Sequence, residues 1–195
     1  MYNHFEGKLA VKTPTYAVLE CAGVGYQLNI SLNTYSRLPE NGNCRLYAHL
    51  AVREDALVLF GFWDEEEREL FRHLISVSGV GPGTARMILS SLTPAEIAGA
   101  ILTGNVAALR AVKGIGEKSA QRIIIDLKGK IGKDIGSVSA TFFNADNKMR
   151  DEALSALVML GFAKNIADKA LDKSLKNEGN AVSVEHLIKL ALKNM

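Results

Sequence analysis

Residues 77–86 read Val-Ser-Gly-Val-Gly-Pro-Gly-Thr-Ala-Arg, and residues 112–122 read Val-Lys-Gly-Ile-Gly-Glu-Lys-Ser-Ala-Gln-Arg. Laid over each other at an offset of 35 residues, Gly79 falls on Gly114, Gly81 on Gly116, Ala85 on Ala120 and Ile88 on Ile123. The flanks agree as well: Leu74 with Leu109, Val77 with Val112, Leu92 with Leu127. A constant offset of this size means one supersecondary unit used twice. The unit is an apolar helix, a Gly-apolar-Gly turn and a second helix.

That order is the helix-hairpin-helix pattern of sequence-independent DNA binders, and elementary chemistry explains why. Glycine opens backbone conformations closed to other residues and lets another backbone come near. A Gly-x-Gly turn ahead of a helix leaves unpaired N–H donors at the positive end of the helix dipole, where an anion such as phosphate is held. The candidate DNA-binding residues are therefore Gly79, Val80, Gly81, Gly83, Thr84 and Arg86 in the first hairpin, and Lys113, Gly114, Ile115, Gly116, Lys118, Ser119 and Arg122 in the second. Val80 and Ile115 should also plug each hairpin into its own core. Thr84 and Ser119 occupy equivalent places, to cap the helix or donate to phosphate. Gly83 stands where the second hairpin has Lys118, which leaves Arg86 to compensate. No aromatic or amide side chain sits where it would read a base edge, so backbone and shape are the expected targets.

Other chemistries fit less well. Gly79-Val80-Gly81-Pro82-Gly83 is not the Gly-x-Gly-x-x-Gly dinucleotide fingerprint, and no phosphate-binding Gly-x-x-x-x-Gly-Lys-Ser/Thr loop occurs. No cofactor and no ATPase site is expected. The net charge of the 195 residues is only +2, but residues 70–133 hold nine Lys and Arg against Glu96, Glu117 and Asp126. A basic patch inside a nearly neutral chain is the footprint of a nucleic-acid partner. Cys21 and Cys44 lack metal or disulfide spacing and read as free thiols; His4, His49, His73 and His186 are scattered, so no metal site is expected. With no leader-like start and no apolar run of membrane length, the expectation is a soluble cytoplasmic protein.

The fold class expected is multidomain α+β. Residues 1–63 carry short alternating strands (5–12, 16–21, 26–30, 44–52 and 56–62) suited to a small closed barrel. Between the last two lies Arg53-Glu54-Asp55. Its paired carboxylates could serve a metal, could be a solvated turn, or could repel phosphates and part DNA strands. Residues 64–132 are the tandem hairpin domain, with helices over 65–77 and 95–102 besides the repeats. Residues 133–146, rich in Gly, Ser and small residues, read as a flexible linker, Phe142 and Phe143 being its odd members. Residues 147–195 form a three-helix bundle, with helices over 150–160 and 165–175 and a third from Ser183. Leu157, Leu160 and Phe162 are candidates for a partner-binding patch, or else simply its core.

A small barrel, a tandem hairpin domain, a linker and a three-helix tail, in that order, resemble the RuvA family over the whole chain. The most specific matches are Gly23-Val24-Gly25-Tyr26, Val52-Arg53-Glu54-Asp55-Ala56, Leu59-Phe60-Gly61-Phe62, the two hairpins and Ala-Leu-x-x-Leu-Gly-Phe at 156–162. The resemblance implies an OB-like barrel, a UBA-like third domain and a non-catalytic subunit that binds Holliday junctions in recombination and repair of damaged DNA, within the SOS response. It implies a homotetramer, alone or as two stacked tetramers, that holds the four-way junction open. It assigns Glu54 and Asp55 to a central acidic pin, and Leu157, Leu160 and Phe162 to the hexameric ATPase RuvB, which drives branch migration. The RuvC resolvase is a further partner it implies. A nuclease or glycosylase is the competing class, since both use such hairpins, but Glu54 and Asp55 are too few carboxylates for a metal nuclease.

Overall fold

The computed structural model describes residues 2–139, 145–178 and 183–193. They fall into two compact units, Met1–Ile135 and Gly136–Met195.

The first unit opens with five strands: β1 (His4–Lys12), β2 (Tyr16–Cys21), β3 (Val24–Asn29), β4 (Asn43–Val52) and β5 (Leu57–Phe62). They close into a barrel in the order β1-β2-β3-β5-β4. Neighbours run antiparallel except β3 with β5, which meet in parallel at Asn29 and Phe60. Alternation puts Ala17, Leu19, Leu28, Leu46 and Ala48 inside and leaves the intervening residues facing out. Gly61 has no substitute here, because a Cβ would stand 2.9 Å from Leu28 Cβ. The bend expected at Gly23-Val24-Gly25 is tighter than the sequence suggests. Ala22 and Gly23 both take positive φ (50° and 85°), so a two-residue turn suffices and β3 begins at Val24.

Residues between β3 and β4 hold a short helix, α1 (Leu32–Arg37), with Ser31 as its N-cap. No apolar period announces it. The helical half follows: α2 (Glu65–Ile75), α3 (Pro82–Ser91), α4 (Pro94–Thr103), α5 (Val106–Arg110) and α6 (Glu117–Ser139). Asp64 caps α2 by accepting from Glu67 N at 2.8 Å, and the acidic run Glu65–Glu67 lies in the first turn, where the helix dipole favours it. Thr93 and Glu96 form a reciprocal capping box on α4, and Gly104 ends it in the left-handed region.

The sequence boundary at residue 63 is not a packing boundary. Phe60 and Phe62 of β5 lie 5.1 and 4.9 Å from the ring of Phe71 on α2, and one core runs from them through Leu74, Ile88, Ile101 and Leu109 to Leu127. The buried Arg68 on α2 donates to Asn3 O at 3.0 Å and sits over the Tyr47 ring of β4. Barrel and hairpins therefore share one core within a single compact unit.

The second unit contains α7 (Ala145–Met159), α8 (Lys164–Glu178) and α9 (Val184–Lys193) around Ala153, Leu157, Ala167, Leu171, Leu187 and Ala191. Arg150 bridges to Asp168 at 3.0 Å and Asp172 at 2.7 Å, tying α7 to α8. Gly161 (φ 97°) closes α7: Phe162 N donates to Leu157 O and Gly161 N to Val158 O. The linker expected over 133–146 is entered by helix from both sides, since α6 runs to Ser139 and α7 starts at Ala145. Residues 140–144, with Phe142 and Phe143, lie outside the described residues.

Candidate nucleic-acid interface

The two hairpins, α2–α3 and α5–α6, are built alike. Gly79 has φ 88° and Gly114 φ 89°. Val80 N donates to Val77 O at 3.0 Å; Ile115 N donates to Val112 O at 3.1 Å. Each following helix starts the same way, with Ala85 N donating to Gly81 O at 2.9 Å and Ala120 N to Gly116 O at 3.0 Å. Leu74, Val77, Ala85 and Ile88 are buried, as are Leu109, Val112, Ala120 and Ile123. Sequence identity at a handful of positions therefore reports a shared backbone path.

This geometry sorts the expected residues by role. Val80 and Ile115 are buried and their amides bond inside the turn, so they shape the hairpin and offer no donor to an anion. Gly79, Gly81 and Gly83, like Gly114 and Gly116, are exposed or border open space, and nothing stands where their Cβ atoms would be. Thr84 does not cap α3, which has no side-chain cap; its hydroxyl is left for other partners. What remains is a row of accessible N–H groups at the start of α6 and a shorter one at α3, where Pro82 has no N–H and the donors are those of Gly83 and Thr84, an arrangement able to hold phosphate oxygens.

The cations differ between the hairpins. Lys113 and Lys118 are exposed and form no ion pair with a described residue, while Arg122 lies 3.9 Å from Asp126. Arg110 pairs with Glu117 at 2.9 Å. Arg86, expected to compensate for Gly83, is also engaged by the barrel. Its Nη1 donates to Thr15 O and to Asn29 Oδ1, both at 3.1 Å, so the guanidinium fastens α3 to the barrel. Long-range partners of this kind leave no trace in local sequence.

Glu54 and Asp55 are exposed at the tip between β4 and β5, in a turn closed by Arg53 N donating to Ala56 O at 2.9 Å. No group of three or more His, Cys, Asp or Glu side chains is arranged to hold a metal among the described residues. Burial, followed by the neighbouring Cys21, pushes the Cys44 thiol up, which favours its protonated form.

In the second unit the expected patch splits. Leu157 is fully buried and belongs to the core, whereas Leu160 and Phe162 are exposed. Val158, Met159 and Ile166 are exposed beside them, Met159 at 89%. Val158 is expected on the apolar face of its helix with Leu157 and Leu160, and Met159 and Ile166 are not among the expected patch; the unbroken apolar run 157–160, wider than one helix face can bury, marks Val158 and Met159.

Comparison with known proteins matches family models along nearly the whole chain. The RuvA N-terminal domain matches residues 1–61, a SAM-like helix-hairpin-helix tandem residues 71–129, and the RuvA C-terminal domain residues 148–195. The chain belongs to the RuvA family. It is 49% identical over 195 residues to the Holliday junction branch migration complex subunit RuvA of Christiangramia forsetii, covering all of both chains. The RuvA proteins of Bacteroides thetaiotaomicron, at 51% over 202 residues, and Azobacteroides pseudotrichonymphae, at 44% over 194, are similar along at least 99% of each chain. RuvA family membership thus spans the barrel, the hairpins and the three-helix unit alike. No single helix among the described residues is long and apolar enough to cross a membrane.

Proposed function

We propose that this chain is the junction-binding subunit of a branch-migration machine: it binds four-way DNA without sequence preference, cuts nothing, and presents the junction to the ATPase RuvB. One observation carries the reading. Two Gly-x-Gly turns with matching φ, the same internal hydrogen bonds and the same buried plug stand on one compact unit. Backbone grips position a duplex without reading its bases, so selectivity for a junction must come from how several such units are arranged. Full-length relatives named as subunits of a Holliday junction branch migration complex support it.

The remaining parts have places in this scheme. A square of four subunits in the cytoplasm would bring the Glu54–Asp55 tips together at its centre, where carboxylates repel phosphates and disfavour stacked, folded junctions. The exposed apolar cluster of Val158, Met159, Leu160, Phe162 and Ile166 is the surface for RuvB. The RuvC resolvase would then act on the junction so held.

The test is a gel-shift titration of an immobile four-way junction against matched duplex competitor, with magnesium present. Selective retention of intact junction is expected. Equal competition by duplex, or cut products, would overturn the reading.

A further inference from the structure

We infer that the two hairpins divide the work of holding DNA: the second is the electrostatic anchor, the first a neutral guide that binds through backbone amides and hydroxyls alone. This rests on the junction-binding reading above and specifies how that site works.

The 35-residue offset lets the hairpins be compared position by position. Lys113, Lys118 and Arg122 of the second hairpin correspond to Ser78, Gly83 and Met87 of the first. All three cation positions are thus uncharged in the first hairpin, although the backbone is the same. Residues 110–126 carry Arg110, Lys113, Glu117, Lys118, Arg122 and Asp126; residues 75–91 carry Arg86 alone. Arg86 falls on Gln121 in the repeat, and its Nη1 donates to Thr15 O and Asn29 Oδ1 of the barrel. The first hairpin itself is left with exposed Ser78, partly exposed Thr84 and the free donors of α3; the cation beside it, Lys130 of α6, belongs to the second hairpin's helix and donates to Ser76 Oγ at 3.3 Å.

The consequence is a difference in salt response. Contacts that neutralise a phosphate release counterions and weaken with salt, whereas neutral hydrogen bonds do so far less. Charge, and with it most of the salt slope, should enter through Lys113, Lys118 and Arg122. Arg86 is a positioning residue: it sets the pose of α3 against the barrel and does not touch phosphate.

The structure also supplies a gain-of-function variant. A side chain at Gly83 meets nothing within 4 Å, and its backbone is not left-handed. Gly83→Lys therefore installs the missing cation without disturbing the fold.

The experiment is junction binding by the full-length protein across a salt series, with a thermal melt of each variant as folding control. Lys118→Ala and Arg122→Ala should each flatten the log–log salt slope, by about 0.9 for each phosphate no longer neutralised. Ser78→Ala combined with Thr84→Val should weaken binding several-fold with the slope unchanged. Gly83→Lys should steepen the slope by about 0.9 for the one further phosphate it neutralises and tighten binding at low salt. Arg86→Ala should weaken binding with no change of slope, and Arg86→Lys should restore part of the affinity. A slope untouched by Lys118→Ala and Arg122→Ala, or by Gly83→Lys, would overturn the division, as would a slope flattened by Arg86→Ala. Wild type that fails to prefer junction over duplex would instead sink the junction-binding reading, whatever the slopes.

Discussion

Thr34 Oγ1 donates to Glu67 Oε2 at 2.6 Å, and both side chains are fully buried. The contact joins α1 beside the barrel to α2 of the hairpin region. Ser31 Oγ donates to the other carboxylate oxygen, and Thr34 Oγ1 in turn accepts from Trp63 N at 3.0 Å. Burial pushes the Glu67 carboxyl up, against the pull of these hydrogen bonds. A raised carboxyl binds its proton more readily folded than unfolded. Glu67 therefore favours folding below its unfolded-chain value, and that advantage is lost as pH rises through the folded value. Thr34→Val strips a donor from the ionised form and an acceptor from Trp63. It should cost about 2–3 kcal/mol near neutral pH, with the deficit narrowing at acidic pH and Thr34→Ser largely spared. Urea unfolding at two pH values checks this; an equal deficit at both would mean that Glu67 is not ionised in the fold.

The glycines of each hairpin separate stability from binding. Gly79 and Gly114 hold left-handed φ, where an L side chain costs about 1–2 kcal/mol. Gly79→Ala and Gly114→Ala should lower the melting temperature. Gly81 has φ −82° and open space at its Cβ position, so Gly81→Ala should melt like wild type. The added methyl would nonetheless stand where a phosphate must approach, and junction affinity should fall about tenfold or more, the scale of removing one charge-assisted hydrogen bond. A Gly81→Ala protein that binds normally would remove that amide row from the interface.

Local sequence carried the parts that depend on local physics. Strand alternation, the Thr93-Pro94 helix start and the repeated turns were all legible, because period, caps and glycine placement act within a few residues. Helix α1 was not: Leu-Asn-Thr-Tyr-Ser-Arg has no apolar stripe, and its stability comes from the Ser31 cap and the contact with Glu67. The duty of Arg86 was hidden because its partner Thr15 is 71 positions away in the chain. The small-residue stretch after residue 132 read as linker, yet α6 continues to Ser139, since extending an existing helix is far easier than nucleating one. Among the candidate site residues, the glycines and cations stand out by pattern, whereas the internal bonding of Val80 and Ile115 depends on the folded turn.

Glu54 and Asp55 are exposed. Glu54→Gln with Asp55→Asn should therefore leave thermal stability unchanged. If the tips face phosphates at a junction centre, removing their charge should tighten junction binding about 2- to 5-fold at low salt, with the gain shrinking as the Debye length contracts toward ~8 Å at physiological ionic strength. Binding to linear duplex, which has no crossover to repel, should not change. The same gain on duplex as on junction would show a general charge effect and no pin.

The C-terminal unit separates core from surface along one turn of helix. Leu157 is fully buried among Ala153, Leu171 and Leu187, while Leu160, three residues on, is 63% exposed. A carboxylate at position 157 would bury a charge without a partner, a change of about 3 kcal/mol or more, and so small a unit has little stability to lose. Leu157→Asp should therefore abolish the helical melt of this unit. Leu160→Asp and Met159→Asp replace exposed apolar surface and should leave that melt intact, yet both should lose stimulation of RuvB ATPase and co-migration with RuvB, while junction binding by the first unit is retained. If Leu160→Asp and Met159→Asp stimulate RuvB as well as wild type, the motor docks elsewhere, and the exposed apolar cluster at the α7–α8 turn must serve another partner.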